Sequence, residues 1–216
     1  MVRKISLLIF VLSICSFFGN AQKYGVGGSF DVLNPVGKKK FLPGVTVFFD
    51  VPKTDNIAFY GKLGYYFPTS IVDTNAYAIA IDPMTNPYQV SAENKTVINT
   101  ISLQGGTKYF VGNAYNVGFA GMFDTHFRLL VSPVKSSITG YDASKYQQDP
   151  NVATTAGKYI SMTLFAGAGA GVKYSQPWGT LFASANIDLI LFYLRPTVLT
   201  SSFMFSVEVG YRRDIY

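Results

Sequence analysis

From residue 203 to residue 213 the chain alternates without a break. Phe203, Phe205, Val207, Val209 and Tyr211 fall on one side of an extended strand, and Met204, Ser206, Glu208, Gly210 and Arg212 fall on the other. Period two, with bulky apolar groups facing charges, describes a strand with one greasy and one wet face. Comparable segments of about ten residues recur between turn-forming clusters, the pattern that a membrane barrel requires. Eight are legible, at 24–33, 41–51, 57–67, 96–110, 116–129, 158–174, 180–194 and 203–213. The expectation is an all-β fold, an eight-stranded antiparallel transmembrane up-and-down β-barrel.

The connections support a barrel with two unlike rims. Those at 52–56, 112–115 and 176–179 are tight turns of Pro, Gly, Asn and Asp, while those at 68–95 and 130–157 are long. Short turns at one rim and long loops at the other match an outer-membrane barrel, and an even strand count puts both termini at the short-turn rim. Aromatic residues suggest two girdles. Tyr24, Tyr109, Tyr174, Trp178, Tyr211 and Tyr216 are expected near the short turns, and Phe41, Phe67, Phe127, Tyr159 and Phe203 near the long loops. A soluble eight-stranded calyx shares the alternation, so the girdles and the terminal aromatic strand carry the preference for a membrane.

The N-terminus sharpens the compartment. Arg3 and Lys4 precede an apolar run from Ile5 to Phe18 and then Gly19-Asn20-Ala21. This reads as a signal peptide over 1–21, with a barrel domain over 22–216. The run is short against the roughly 20 apolar residues of a spanning helix. The one cysteine, Cys15, lies within it, so neither a disulfide framework nor thiolate chemistry is expected in the mature chain. Removing Arg3 and Lys4 from the 18 basic residues leaves 16 against 12 acids, a modest surplus that argues against nucleic acid as a partner.

Taking the charged face of each segment as inward yields a balanced set. Asp31, Asp50, Asp124, Asp188 and Glu208 face Lys62, Lys108, Arg128, Lys173 and Arg212, with His126, Thr46, Ser102, Gln104 and Asn186 beside them. The opposite face holds Val45, Val47, Phe49, Leu63, Ile101, Leu103, Phe123 and Ile187. The asymmetry has a physical cause, since a cation on the lipid face at mid-bilayer costs about 2–4 kcal/mol. Gly167, Gly169 and Gly171 leave one inward row bare, with space for long side chains from the opposite wall. An eight-stranded barrel is just wide enough for side chains to fill, so the expected interior is a salt-bridged plug. A narrow passive channel for ions or small solutes is the alternative reading.

The segment Asn20-Ala21-Gln22, the first strand Tyr24-Gly25-Val26-Gly27-Gly28 and the last strand Val209-Gly210-Tyr211-Arg212 resemble the small outer-membrane β-barrel proteins of Bacteroidota-type bacteria, grouped as porin-family or OmpA/OmpX-like barrels. The resemblance implies the outer membrane of a Gram-negative cell and outer-membrane lipid around the wall. It also implies the barrel-assembly machinery as a partner during insertion, with Gly210, Tyr211 and Tyr216 as the assembly signal. Arg212-Arg213 and Asp214 depart from that signal. No periplasmic peptidoglycan-binding domain is expected.

Chemistry is sparse. Some barrels of this size act on outer-leaflet lipid, and His126 between Asp124 and Arg128 supplies a base that Ser102 or Ser184 could in principle reach. A polar lumen gathers such groups without catalysis, so no enzyme is expected. One histidine and no mature cysteine do not make a zinc or copper site. Asp73, Asp82, Asp142 and Asp149 lack calcium-loop spacing, and no cofactor is expected. The long loops carry the functional expectation: Tyr77, Ile79, Ile81, Met84 and Tyr88 in one and Tyr141 and Tyr146 in the other suit an envelope or extracellular protein or glycan partner. The run Tyr77-Ala78-Ile79-Ala80-Ile81 predicts that the third and fourth strands continue as a hairpin beyond the membrane.

Overall fold

A computed structural model describes residues 24–38, 40–112, 117–148 and 157–215. The signal segment 1–21, Lys39, Asn116, most of the turn at 112–115, Asp149 and Tyr216 lie outside the described residues. The described residues form nine strands: β1 (Tyr24–Pro35), β2 (Leu42–Thr54), β3 (Ile57–Ala80), β4 (Gln89–Val111), β5 (Gly118–Thr139), β6 (Tyr146–Gln148), β7 (Gly157–Gln176), β8 (Gly179–Leu194) and β9 (Phe203–Ile215). Eight close on themselves in the order β2-β1-β9-β8-β7-β5-β4-β3 with β3 returning to β2, every pairing antiparallel. The fold is an all-β, eight-stranded up-and-down barrel of the outer-membrane type.

Register fixes its shape. Cross-strand partners lead from Gly25 through Asp50, Tyr60, Gly106, His126, Gly167, Asp188 and Met204 and return to β1 at Pro35, ten residues above the start. That stagger is what tilts the strands and sets the bore. Alternation then sorts the side chains. Val47, Phe49, Leu63, Leu103, Phe123, Ile187 and Val209 stand exposed outside, whereas their strand neighbours Phe48, Gln104, Asp124, Asp188 and Glu208 are buried.

Toward the long loops the expected hairpin of the third and fourth strands is present, and the fifth strand runs further than the alternation predicts. β5 runs to Thr139 instead of ending at 129, and β3 and β4 continue as a hairpin to Ala80 and from Gln89. The reason is pairing. Ladder bonds continue from Ile98↔Val134 to Glu93↔Thr139, and Ala76↔Ala92 to Ile79↔Gln89, so polar residues such as Lys95, Ser136 and Ser137 lie in strand. β6 was not legible. Three residues, Tyr146, Gln147 and Gln148, add to the far edge of the β3 extension opposite Ala80, Ile79 and Ala78. A strand that short carries no periodic signal, and the partner edge supplies its geometry.

The girdle near the short turns contains Trp178 stacked on Tyr211 at 5.8 Å, with the Tyr211 hydroxyl donating to the Trp178 carbonyl at 2.6 Å. Phe119 packs on Tyr174 at 4.5 Å. At the other rim Phe41, Phe67 and Phe203 are exposed, but Tyr159 is not a girdle residue, since it is half-buried against the inner apolar cluster.

Candidate functional site

The interior of the barrel is filled in three layers. Nearest the short turns, Phe48, Phe110, Phe182 and Met122 form an apolar cluster, with Phe48 edge-on to Phe182 at 5.3 Å. Lys108 Nζ lies over the Phe48 and Tyr60 rings at 4.9 and 4.7 Å and donates to Asp50 at 2.9 and 3.2 Å. Arg212 lies 3.5 Å from the same carboxylate and 3.1 Å from Asp214. Lys173 Nζ donates to Ser175 at 3.2 Å and sits 5.3 Å from the Phe110 ring centroid. Cations held on ring faces keep their attraction where water is excluded.

The middle layer is the densest in charge. Glu208 accepts from Lys62 and Ser29, each at 2.5 Å, and from Ser184 at 3.4 Å; Ser29 also bonds Thr46. Asp124 accepts the Tyr60 hydroxyl at 3.0 Å, and Gln104 donates to Tyr60 at 2.9 Å. His126 stands between two carboxylates, Nδ1 2.6 Å from Asp124 and Nε2 2.6 Å from Asp188. Two carboxylate acceptors match an imidazolium that donates from both nitrogens. Arg128 Nη1 lies 3.2 Å from Asp188 Oδ2, an ion pair whose alignment falls short of a hydrogen bond, and its Nη2 donates to Ser206 at 3.2 Å. Asn186 donates to the same Ser206 at 3.2 Å. Asp31 accepts the Tyr66 hydroxyl at 2.6 Å.

Glycine makes the centre of this layer. His126 and Asp188 lie on β5 and β8, either side of Gly167 on β7, and the three share one register row. The two side chains meet across bare backbone. Gly169 stands likewise between Asp124 and Asn186, and Gly171 between Met122 and Ser184. The space over this row is therefore filled from the neighbouring strands, which corrects the expectation that the opposite wall fills it. The cause is local: adjacent strands lie about 5 Å apart, so short Asp and Asn side chains suffice.

The third layer, toward the long loops, is apolar. Leu33, Leu42, Tyr66, Ile98, Val134, Phe165 and Met204 surround Leu199, which enters from the connection between β8 and β9. That connection has tertiary structure of its own. Thr197 N donates to Thr200 Oγ1 at 2.8 Å, Leu199 N donates to Thr197 Oγ1 at 3.1 Å, and Ser201 Oγ donates to the Val36 carbonyl at 2.7 Å. Arg195 turns the chain with a φ of 53°. Leu199 is the interior residue that sequence reading missed. Its available signal was an apolar pair, Val198-Leu199, in a loop otherwise built of Arg, Pro, Thr and Ser.

The structure brings Asp124, His126, Arg128 and Asp188 together, Lys62 with Glu208, and Asp50 with Lys108 and Arg212. Among the described residues it sets neither Ser102 nor Ser184 against His126. Both His126 nitrogens face carboxylates, and Ser184 is turned to Glu208. Of the assembly-signal positions, Gly210 packs beneath Phe182 and Ser29, and Tyr211 joins Trp178. No group of three or more metal-ligating side chains occurs among the described residues.

Outside the barrel, β3, β4 and β6 form a small sheet whose tip exposes Tyr77, Ile81, Met84 and Tyr88. Beside that tip, the turn that enters β6 is held by Asp142, whose carboxylate accepts the Ser144 hydroxyl at 2.7 Å and the Ser144 amide at 3.0 Å. These hydrogen bonds hold the Asp142 carboxyl below the usual carboxylate range. A depressed folded value contributes order above the unfolded value of about 4 and loses it as pH falls through the folded one. Below about pH 4 the amides of Ser144, Lys145 and Tyr146 are therefore expected to lose protection, measured against the intrinsic exchange rate at each pH, while the barrel strands keep theirs. Equal protection of these amides across that range would contradict the assignment.

No protein-family pattern matches the chain, and no curated protein matches its sequence. Solved structures do match. The chain is similar to Neisserial surface protein A, with 11% identity, a TM-score of 0.52, and coverage of 88% of this chain and 94% of that one. It also aligns with Ail, the attachment invasion locus protein of Yersinia pestis, with 9% identity, a TM-score of 0.47, and coverage of 89% and 97%. The first of these carries the fold, and at such identities nothing more.

Proposed function

We propose that this protein is an integral outer-membrane barrel with a closed, ion-paired interior and a non-enzymatic role carried by its outward loops. The observation that carries the reading is the inversion of burial. Ionisable side chains such as Arg128, Asp188 and Glu208 are buried inside, while large apolar side chains from Val26 to Val209 stand exposed around the wall. Only an apolar surrounding solvent makes that distribution favourable. A soluble calyx would place the same faces the other way.

The closed interior supports a structural or interaction role over a conducting one. Ion pairs fill the middle of the bore, and the Leu199 layer covers them on the loop side. The sheet of β3, β4 and β6 offers a protein or glycan partner exposed tyrosines on a rigid support.

Fractionation tests the residence. The protein is expected in the outer membrane, with faster gel migration unheated than boiled; recovery as a soluble periplasmic protein would overturn the reading. Planar-bilayer recording of the pure protein tests the closed interior. No steady conductance is expected, and a reproducible open level would favour the narrow channel.

A further inference from the structure

Three lysines interrupt the outer wall at one place. Lys95 on β4, Lys135 on β5 and Lys158 on β7 are exposed and lie on the outward face of adjacent strands. Lys135 is directly opposite Lys158. Lys95 is diagonal to Lys135, because Lys135 pairs with Val97 and Lys95 with Ser137. Like charges set directly across a ladder repel, so this arrangement costs stability in the absence of an anion. Among the described residues none of the three is in an ion pair. Glu93, the carboxylate on the same face of β4, lies two residues further toward the hairpin tip.

What lies on the barrel side of these lysines identifies the ligand class. Along the outward face of β7 the order is Leu164, Met162, Ile160 and then Lys158; along β5 it is Leu129, Val131, Pro133 and then Lys135. On β4 Leu103, Ile101, Asn99 and Val97 precede Lys95. Ile160 and Met162 are 55% and 36% exposed. Apolar wall gives way to cation at neighbouring register on three strands together. An amphiphile with its chains against the wall and an anion at their head matches both halves. A second copy of this chain does not, because an isologous contact sets the same lysines against one another.

We propose that Lys95, Lys135 and Lys158 bind the phosphate of an anionic lipid headgroup at the loop-side edge of the apolar belt. Each lysine supplies a compact ammonium suited to phosphate without demanding one geometry. The inference rests on the membrane reading, since it needs lipid against the outer wall.

The test uses purified full-length barrel in zwitterionic detergent, titrated with diphosphorylated lipid A and read by native mass spectrometry. One retained lipid is expected for the wild type. The variant Lys95→Gln/Lys135→Gln/Lys158→Gln is expected to bind about tenfold more weakly or worse, with the barrel's heat-modifiable migration unchanged. Lipid A stripped of phosphate should bind the wild type as weakly as intact lipid binds the variant, and free inorganic phosphate should not compete at equal concentration. Undiminished binding by the variant would overturn the proposal, as would equal binding of the stripped lipid, which means apolar contact alone. Competition by free phosphate, or a lipid-free dimer abolished by the same substitutions, would overturn it too. Fractionation judges residence separately: a barrel that binds the lipid but is not found in the outer membrane sinks the residence and leaves the site.

Discussion

Replacing Arg128 by Ala is expected to lower the unfolding free energy by about 3–5 kcal/mol, the usual cost of breaking a buried pair from one side. Arg128 is 1% exposed, and Asp188, 3.2 Å away, is fully buried. Without the guanidinium, Asp188 keeps only His126, and Asp31 keeps the Tyr66 hydroxyl as its hydrogen bond. On the loop side Leu199 and its neighbours pack over this layer. Urea unfolding in lipid vesicles, followed by heat-modifiable migration, reads the loss. Arg128→Ala combined with Asp188→Asn should recover part of it, because a neutral amide is less costly to leave unpaired than a carboxylate. A loss under about 1 kcal/mol for the single variant would mean that the carboxylates are already hydrated. The closed-interior reading would then fail.

The second large effect is expected at Gly167. A Cβ there would lie 2.5 Å from His126 Nε2 and closer still to Asp188 Oδ1. Gly167→Val should therefore break the contact across β7 as well as overpack the bore. Overpacking alone costs about 1–3 kcal/mol, and the broken charge contact adds to it. Little folded barrel is expected on refolding into vesicles. Gly105→Ala is the control, since a Cβ at that outward position meets nothing nearer than the Tyr60 carbonyl at 3.7 Å. It should stay within about 0.5 kcal/mol of wild type. If both variants refold alike, the bare row is not what lets β5 and β8 meet.

The two substitutions show which parts of the interior were legible from residues. Asp124, His126 and Arg128 share one strand face, so alternation alone places them together. The pairing of His126 with Asp188, 62 positions away, depends on register across β7. Nothing in either segment announces that register, although the Gly-x-Gly-x-Gly run marks where side chains can meet. The Leu199 layer was out of reach for a different reason. An apolar residue in a loop has no period, and only the closed wall decides whether it turns inward. The reach of β5 to Thr139 was hidden because the outward face of its outer half carries Lys135 and Ser137, which a solvated ladder accepts more readily than a membrane-spanning one.

The sequence by itself determined the strand pattern, the closed eight-strand wall and the side of each strand that carries charge. Period two is a covalent property of an extended backbone, and burial of ionised groups in lipid is too costly for the faces to be exchanged. Only the tertiary structure decided the partners inside, the inward packing of Leu199, the added strand β6 and the lysine cluster at the rim. Leu199 and β6 take their places from the wall and edge they meet. The inner pairings and the lysine cluster follow from register between neighbouring strands, which sets Gly167 between His126 and Asp188 and Lys135 opposite Lys158 and adds up to a ten-residue stagger. Stagger is a sum over eight pairings, and no single segment encodes it.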